Sequence, residues 1–214
     1  MPPPSDVIRA DFDRIAVASS ALADAVEPCA QQLLAHVPLR SRVLEIGSGT
    51  GTLARELATK RGARVTAIDV SPRMIDVARV RTPDSLGIEY RVADVLAISP
   101  RGFDVVISSN TLHHLPLARA AEHMAAAIVP GGVALISDLF DARGVLALPY
   151  NALSWLMRSR APRDPELAAA WQAHGAHDDL LPLATIKKLL VSVMPGVTVS
   201  RHLAWRYTAI WRKP

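Results

Sequence analysis

The sequence predicts a doubly wound α/β fold, and two patterns support that prediction. Short apolar runs alternate with stretches of helical periodicity along most of the 214 residues, which is typical of βαβ units with helices on both faces of a parallel sheet. Two further apolar runs, near the carboxyl end, are separated by a very short turn and must pair antiparallel. We therefore expect a single domain over residues 1–214, with a mostly parallel sheet and an antiparallel C-terminal hairpin.

Each predicted element has its own sequence signal. The first strand is a buried apolar run that ends in glycines, and the helix after it stops at Gly62. Ser71 and Pro72 supply the cap and the first position of the next helix. The predicted strands are 42–46, 64–69, 87–94, 103–110, 131–140, 197–203 and 205–213. The predicted helices are 6–36, 50–62, 71–81, 116–132 and 182–196.

Two segments lie outside this regular alternation. Residues 1–36 are predicted to form an N-terminal helical cap. Residues 141–181 form an insertion with helical potential over 145–157 and 165–174, and it is too long for a simple connection in such a fold. We expect that insertion to be a helical lid or a wall of a substrate pocket. Its bulky apolar side chains are Leu146, Leu148, Tyr150, Leu153, Trp155, Leu156, Met157 and Trp171.

Composition and charge narrow the class of protein. Half of the residues are hydrophobic and the net charge is +4, so the chain is globular and only mildly basic. Its densest basic cluster, Arg158, Arg160 and Arg163, has no interleaved aromatic residue and predicts a solvated loop rather than a nucleic-acid surface. No signal peptide and no membrane span are predicted, and the single Cys29, expected to be buried on the N-terminal helix, fits a reducing compartment. We expect a cytoplasmic protein without nucleic-acid or membrane partners.

The glycine-rich loop within residues 43–53 indicates what the fold binds. A phosphate loop needs a lysine where this chain has Thr52 and Leu53, so that kind of site is excluded. A dinucleotide fingerprint needs its third glycine one position later than Gly51. Glu45, which stands just before the glycines, would also repel a pyrophosphate and attract an amine. The loop therefore favours a cofactor with positive charge and no phosphate.

Residues 45–51 resemble the first motif, [DE]-x-G-x-G-x-G, of the class I S-adenosylmethionine-dependent methyltransferases. Companion positions follow in order: Asp69 ends the second predicted strand, Asp94 follows the third, and Asn110 ends the fourth. The resemblance covers residues 42–140 and, in topology, the terminal hairpin. It implies S-adenosyl-L-methionine as the cofactor, a small-molecule substrate and a seven-stranded Rossmann-like methyltransferase fold.

The resemblance also implies residue roles. In that family an acid at Asp69 accepts hydrogen bonds from both ribose hydroxyls, an acid at Asp94 accepts one from the adenine amino group, and backbone around Asn110 faces the methionine end. Plainer roles stay open, because Asp69 can cap the helix after Ser71 and Asp94 can be an Asx-turn residue. Residues 11–16 resemble the start of quinone-biosynthesis-type members, where an N-terminal helix helps close over the cofactor, or they are a surface helix start. The implied cofactor-binding residues are Glu45, Gly47, Ser48, Gly49, Thr50, Gly51, Asp69, Val70, Met74, Asp94, Val95 and Asn110.

Histidines are the candidate catalytic residues. Methyl transfer needs a base only when the acceptor must lose a proton, as a hydroxyl does. His113 and His114 follow the fourth strand at the active edge, and His114 is the preferred candidate, with a structural role as the alternative. His174 is the candidate from the insertion, with a polar lid surface as the alternative. Metal-ligating residue types show no recognised spacing, so we expect no metal. These residues are Asp138, Asp141, His174, His177 and Asp178.

We expect the acceptor to be a small, partly hydrophobic metabolite, methylated at oxygen, from secondary metabolism or lipid-like. The fourth motif reads Ser109–Leu112 instead of the NPPY-like sequence typical of amino-methylation of bases, and Cys29 is on the wrong element for cytosine methylation. The apolar insertion favours such an acceptor, although packing on the core explains several of its residues equally well. Two other functions stay open: an NAD(P)-dependent oxidoreductase, although no tyrosine here has a lysine four residues on, and a non-catalytic S-adenosylmethionine-binding protein. The expected assembly is a monomer or homodimer.

Overall fold

A computed structural model of the chain describes residues 5–19, 25–142, 148–158 and 180–214. Its single seven-stranded sheet has the strand order β3-β2-β1-β4-β5-β7-β6. The first five strands pair in parallel, and β7 pairs antiparallel with both β5 and β6. The predicted fold class, with its antiparallel terminal hairpin, is confirmed. The strands are β1 Arg42–Ile46, β2 Arg64–Asp69, β3 Glu89–Val92, β4 Phe103–Ser109, β5 Ile128–Leu139, β6 Thr198–His202 and β7 Arg206–Arg212.

Two helices begin or end at the residues that the sequence signals mark. The Ser71 hydroxyl accepts a hydrogen bond from the N–H of Met74 at 3.0 Å, and Pro72 follows at the first helical position. Gly62 ends its helix with a φ of 61°, a left-handed conformation that favours glycine. The helices are α1 Ser5–Ser19, α2 Pro28–Leu33, α3 Thr52–Arg61, α4 Pro72–Arg81, α5 Leu117–Ala127, α6 Leu148–Arg158 and α7 Leu183–Val193.

The continuous helix predicted over residues 6–36 is wrong. Helix α1 ends at Ser19, and α2 starts at Pro28 after Glu27, which has an extended backbone (φ −57°, ψ 136°). The cause is Pro28, which disfavours a helical conformation in the residue before it. The Glu27 carboxylate instead caps α2 by accepting hydrogen bonds from the N–H groups of Cys29 and Ala30, each at 2.9 Å. The N-terminal segment is therefore two helices with a capped start at the second.

Strand β5 begins earlier than the sequence indicates. The prediction placed 128–132 in a helix, but Pro130 disfavours helix at the residue before it, and Ile128 already pairs with Phe103 of β4. A register shift between Phe103 and Val105 accommodates this early pairing. The lid predicted over 141–181 stays a prediction, because within it the structure describes only 141–142, α6 and 180–181.

The central strands β1, β4 and β5 are mostly buried on both faces, as a doubly wound parallel sheet requires. Leu44 belongs to the face that packs against Met124 of α5 and Leu190 of α7. Val43 belongs to the opposite face, which packs against Leu57 of α3 and other residues of α2 and α4. This two-sided packing fixes the strands, and the carboxyl ends of β1, β2 and β4 meet at one edge of the sheet. In the parts of the chain that the structure describes, no helix is both long and apolar enough to cross a membrane.

Candidate active site

The glycine loop lies between the end of β1 and the start of α3. The N–H groups of Gly47 and Ser48 both donate to the carbonyl oxygen of Ile68, at 2.9 and 3.0 Å, so the loop turns over the end of β2. A Cβ atom added to Gly47 would lie 2.0 Å from the Thr111 hydroxyl oxygen. At Gly49 an added Cβ would meet nothing within 4 Å. The loop is therefore tightly packed at its base and borders open space at Gly49.

Asp69 connects that loop to the next helix. One carboxylate oxygen accepts from the N–H of Gly49 at 2.8 Å, and the other accepts from the N–H of Ser71 at 2.9 Å. Burial raises the pKa of Asp69 to about 6, although hydrogen bonds from the Ser71 and Gly49 N–H groups act in the opposite direction. The carboxylate thus supports the loop and the helix start together, and its oxygens keep lone pairs for further donors.

Glu45 is a buried carboxyl in the middle of the sheet. It is 2% exposed, and its Oε2 atom has no hydrogen-bond partner among the residues the structure describes. Burial raises the pKa of Glu45 well above its ordinary range, the negative charge of Asp69 acts in the same direction, and Arg55 opposes it. A buried carboxyl without a partner is costly in a folded protein, whereas a cationic ligand would compensate that cost. The unpartnered Oε2 atom of Glu45 is therefore available to a positively charged donor.

Of the two roles predicted for Asp94, the structure shows the Asx turn. Its Oδ1 atom accepts from the N–H of Leu96 at 2.8 Å, which is an Asx turn after β3. Val95, predicted beside the adenine ring, is 5% exposed and packs in the core cluster with Ile68. An Asx turn leaves the second carboxylate oxygen for other donors, so an adenine contact stays a prediction.

Asn110 marks the end of β4 and has a φ of 54°, an uncommon left-handed conformation that asparagine tolerates. Its N–H donates to the carbonyl oxygen of Ser137 on β5 at 2.9 Å, and its side-chain oxygen accepts from the Arg206 guanidinium on β7. Arg206 also forms an ion pair with Glu27 at 3.3 Å, and Glu27 accepts from the Ser137 hydroxyl at 2.9 Å. The N-terminal segment is thereby bonded to β4, β5 and β7 at the active edge.

Partial burial and nearby charges set the pKa values of Glu27 and Cys29 in this network. Burial alone would raise the pKa of Glu27, but the N–H groups of Cys29 and Ala30 and the charge of Arg206 hold it below its ordinary value. Burial also raises the pKa of the Cys29 thiol to about 11, with Glu27 acting in the same direction. Cys29 is 7% exposed, which confirms the prediction that it is buried.

The two adjacent histidines have different surroundings. The Nδ1 atom of His113 lies 2.5 Å from Asp138 Oδ1, and its backbone N–H donates to the other Asp138 oxygen at 3.1 Å. The His114 ring is 5% exposed, 3.8 Å from the His113 ring, and edge-on to Phe12 at 5.5 Å. Sequence reasoning preferred His114, whereas the structure gives the carboxylate partner to His113. The signal that could have found it is the acid at the carboxyl end of the neighbouring strand.

Helix α1 lies over one end of this site. Asp13 accepts from the Ser71 hydroxyl at 2.5 Å and from the N–H of Arg73 at 3.3 Å, both at the start of α4. Ile15 packs against Met74, one of the predicted cofactor-binding residues, and Met74 is 5% exposed. Helix α1 therefore contacts both α4 and His114, where an element that covers the site would lie.

Part of the predicted catalytic set lies outside the residues the structure describes. His174 is that candidate base; the metal-ligating residue types His177 and Asp178 and the apolar Trp171 of the insertion also lie outside the described residues. Within the described ranges no group of three or more histidine, cysteine or acidic side chains could hold a metal ion. Val70 and Thr50 are half-buried beside Asp69 and Gly49, and the Thr50 carbonyl oxygen accepts from Arg55 at 2.8 Å.

Comparison with known proteins agrees with this geometry. Residues 43–132 match a family described as a methyltransferase domain. A ubiquinone biosynthesis O-methyltransferase from Xylella fastidiosa (strain 9a5c) is 33% identical over 160 residues, which cover 66% of this chain and 63% of that protein. One of the same name from Xanthomonas campestris pv. campestris (strain B100) is 34% identical over 123 residues, covering 55% and 51%. The chain spans about half to three fifths of the length of these curated relatives.

Solved structures show the same fold. The N-methyltransferase NodS from Bradyrhizobium japonicum WM9, in complex with S-adenosyl-L-homocysteine, has a TM-score of 0.63 at 20% identity, over 95% of this chain and 99% of that one. Magnesium protoporphyrin IX methyltransferase from Synechocystis PCC 6803 has a TM-score of 0.62 at 18% identity, over 98% and 99%.

The fold and the glycine-loop site define a methyltransferase domain. Residues 43–132 match a methyltransferase domain, and the predicted resemblance to the class I S-adenosylmethionine-dependent methyltransferases is confirmed. Of the solved structures with this fold, NodS holds S-adenosyl-L-homocysteine, the demethylated form of the predicted cofactor.

Proposed function

We propose that this protein transfers the methyl group of S-adenosylmethionine to a hydroxyl oxygen of a small, lipid-like acceptor. The observation that supports it best is the buried Glu45 carboxyl beside Asp69 and the open loop at Gly49. The relatives named for ubiquinone biosynthesis are O-methyltransferases, which favours oxygen as the acceptor atom. Their names give no support to secondary metabolism, so we favour a lipid-like acceptor over a secondary metabolite.

The residues of the site fit this cofactor. S-adenosylmethionine supplies a methyl carbon that its sulfonium charge already activates. Glu45 Oε2 would accept from its ammonium group, Asp69 would accept from the ribose hydroxyls, and Gly49 leaves room for it because its backbone borders open space. A cation bound nearby would lower both raised pKa values, because positive charge stabilises the ionised carboxylates.

A hydroxyl acceptor must lose a proton, and we propose that either His113 or His114, which follow β4, receives it. Asp138 orients the His113 ring through Nδ1 and stabilises its positive charge, which is how a carboxylate supports a histidine base. His114 lies against His113 and stays the alternative base, and His174 from the insertion is a third. A pH–rate profile compared among His113→Asn, His114→Asn and His174→Asn variants separates them: loss of the ascending limb identifies the base.

The acceptor is tested with the full chain. We expect S-adenosyl-L-homocysteine to bind in calorimetry and a panel of phenols with apolar tails to be methylated at oxygen. Methylation of amines with no reaction at phenols would refute the proposed acceptor. Cofactor binding with no turnover on any of the panel would support the alternative of a non-catalytic S-adenosylmethionine-binding protein.

The remaining features of the proposal concern cell location and partners. We place the protein in the cytoplasm, as a monomer or homodimer that binds small molecules and not nucleic acid. The single cysteine supports a reducing compartment, and the scattered basic residues support the absence of a nucleic-acid partner. Cell fractionation and sedimentation of the purified chain test these two statements.

A further inference from the structure

Among the residues that the structure describes, no helix covers one face of the sheet near β3. Strand β3 is joined to β4 by residues 93–102, and that connection contains no helix. In a doubly wound fold such a connection normally covers the sheet with one. A cavity of about 410 Å³ lies there, over the first halves of β1 and β2. We call it the arginine cavity, and its polar lining residues are Arg42, Arg64, Thr66, Glu89, Arg91 and Arg101.

The arginine cavity is remote from the cofactor loop. Arg42 and Arg64 are the first residues of β1 and β2, whereas Glu45 and Asp69 lie at or near the carboxyl ends of the same strands. Arg42 shares a sheet face with Leu44, because alternate residues of a strand point to one side. The cavity is therefore the uncovered continuation of a core face, separate from the methyl-transfer site.

The cavity concentrates positive charge. Arg42 and Arg64 are direct partners in the β1–β2 register, and like charges placed opposite each other destabilise a sheet. Glu89, the one carboxylate in the lining, is already paired with Arg91, with Nε–Oε1 at 2.8 Å. Among the residues that the structure describes, no acidic side chain forms an ion pair with the guanidinium groups of Arg42, Arg64 or Arg101.

Two contacts hold part of this charge in position. The Arg42 guanidinium lies over the Phe103 ring, with its Cζ 5.7 Å from the ring centroid. Its backbone N–H donates to Asp104 Oδ2 at 2.7 Å, so that carboxylate bonds the Arg42 backbone. Gly102 has a φ of 84°, and an added Cβ there would approach Arg42 Nη1 to 3.4 Å. Arg42 is therefore fixed against Phe103 with its charge facing the cavity beside Arg64.

We infer that the arginine cavity is a second ligand site, which takes a small phosphate ester with at least two negative charges. Guanidinium groups bind phosphate oxygens in pairs, and a bridging anion would remove the Arg42–Arg64 repulsion. The volume is in the range of small-molecule sites, roughly 300–1,000 Å³, and exceeds what one phosphate fills. The phosphate groups belong either to a soluble ester or to a lipid headgroup.

The test uses inorganic pyrophosphate, titrated calorimetrically into the full chain at low ionic strength. We expect saturable binding, weakened at least about tenfold by R42Q combined with R64Q, because each variant removes a charged hydrogen-bond donor. The matched control combines K187Q with K188Q, which removes the same charge from two exposed lysines of α7. Equal loss in both pairs of variants, or no loss in the arginine pair, would overturn the site.

Two further readouts keep the result interpretable. The affinity for S-adenosyl-L-homocysteine should be unchanged when R42Q is combined with R64Q. Failure of this site and failure of the proposed methyl transfer can therefore be told apart. Without ligand, R64Q should raise the melting temperature, because the cross-strand repulsion is gone, and pyrophosphate should raise it in the unmodified chain alone. Destabilisation by R64Q, or equal protection of the variant, would contradict the site.

The source of the phosphate is resolved with vesicles. Binding to vesicles that contain phosphatidic acid, whose monoester phosphate can carry two negative charges, assigns the site to a lipid headgroup if R42Q combined with R64Q abolishes it and pyrophosphate binds weakly. Tight pyrophosphate binding with no vesicle binding assigns it to a soluble ester. Absence of both refutes the inference.

Discussion

Asp69 accepts a hydrogen bond from the backbone N–H of Gly49 at 2.8 Å, so the carboxyl end of β2 is bonded directly to the cofactor loop after β1. The same carboxylate accepts from Ser71 at the start of α4. Three consecutive elements of the fold thus converge on one buried acid, and its ionisation state sets the charge at the centre of the site.

Cofactor affinity should depend on pH through Asp69. Burial raises its pKa to about 6, so the carboxylate is ionised at pH 7.5 and increasingly protonated below pH 6. Because an ionised acceptor binds ribose hydroxyls more strongly, S-adenosyl-L-homocysteine affinity should decline below pH 6, approaching about tenfold per unit. Calorimetry between pH 5 and 8 measures this. Asp69→Asn should lower affinity roughly 10–100-fold at pH 7.5 and remove the pH dependence, whereas Asp76→Asn, an exposed acid on α4, should leave both unchanged.

Glu45 should lower the stability of the folded protein and raise its affinity for S-adenosyl-L-homocysteine. Its pKa is raised in the folded protein, so its contribution to stability is present at low pH and is lost as the pH rises through the folded value. Glu45→Gln removes the buried charge, so its melting temperature should exceed that of the unmodified protein by an amount that grows toward pH 8. Its affinity for S-adenosyl-L-homocysteine should fall, because the ammonium loses its acceptor. A variant that loses stability at every pH would show that Glu45 is structural.

Two glycines of the same loop should respond differently to alanine. At Gly47 a methyl group would meet the Thr111 hydroxyl at 2.0 Å, so Gly47→Ala should lower the free energy of unfolding by about 3 kcal/mol or more. At Gly49 the space is open, and only the φ of 51° is unfavourable, so Gly49→Ala should cost about 1 kcal/mol. Its main effect should be on S-adenosyl-L-homocysteine affinity. Urea unfolding and calorimetry separate the two, and equal stability losses would contradict the loop geometry.

The effects of Arg206 on stability and on cofactor affinity should depend on its contacts with Asn110 and Glu27. Arg206→Ala leaves the Glu27 carboxylate, 13% exposed, without its cation, so we expect a loss of about 2–4 kcal/mol in urea unfolding. Arg206→Lys keeps the charge but cannot hold two partners in a fixed fork, so it should recover stability more than cofactor affinity. A double-mutant cycle with Glu27→Gln measures the coupling. Additive effects of the two substitutions would show that the ion pair contributes nothing.

The sequence predicted the elements that carry strong local signals. Strands β1 and β2 have the predicted bounds because their apolar runs end abruptly at glycines or an acid. The break before α2 had a readable signal in Pro28, which a periodicity count over 6–36 passes over. Local pattern therefore placed the glycine loop and the strand ends, and the resemblance to the methyltransferase family supplied the roles of the acids around them.

The contacts that the sequence did not predict join residues far apart in the chain. Glu27 and Arg206 meet only because β7 inserts beside β5, which no local pattern reveals. His113 and Asp138 meet because β4 and β5 are parallel neighbours whose ends coincide. Choosing between His113 and His114 needs the position of a side chain on another strand, and hydrophobic periodicity carries no such information.

The insertion of β7 between β5 and β6 dictates an order of events on the ribosome. Strand β5 finds β4 as soon as it emerges, but its other edge pairs with residues 206–212, which are translated only after residues 140–205. Until then the nascent chain displays an open edge that carries Leu135 and Ile136, a template for pairing with other chains. Completion of the sheet is therefore a late event in synthesis, because its last strand pairing must wait for residues 206–212.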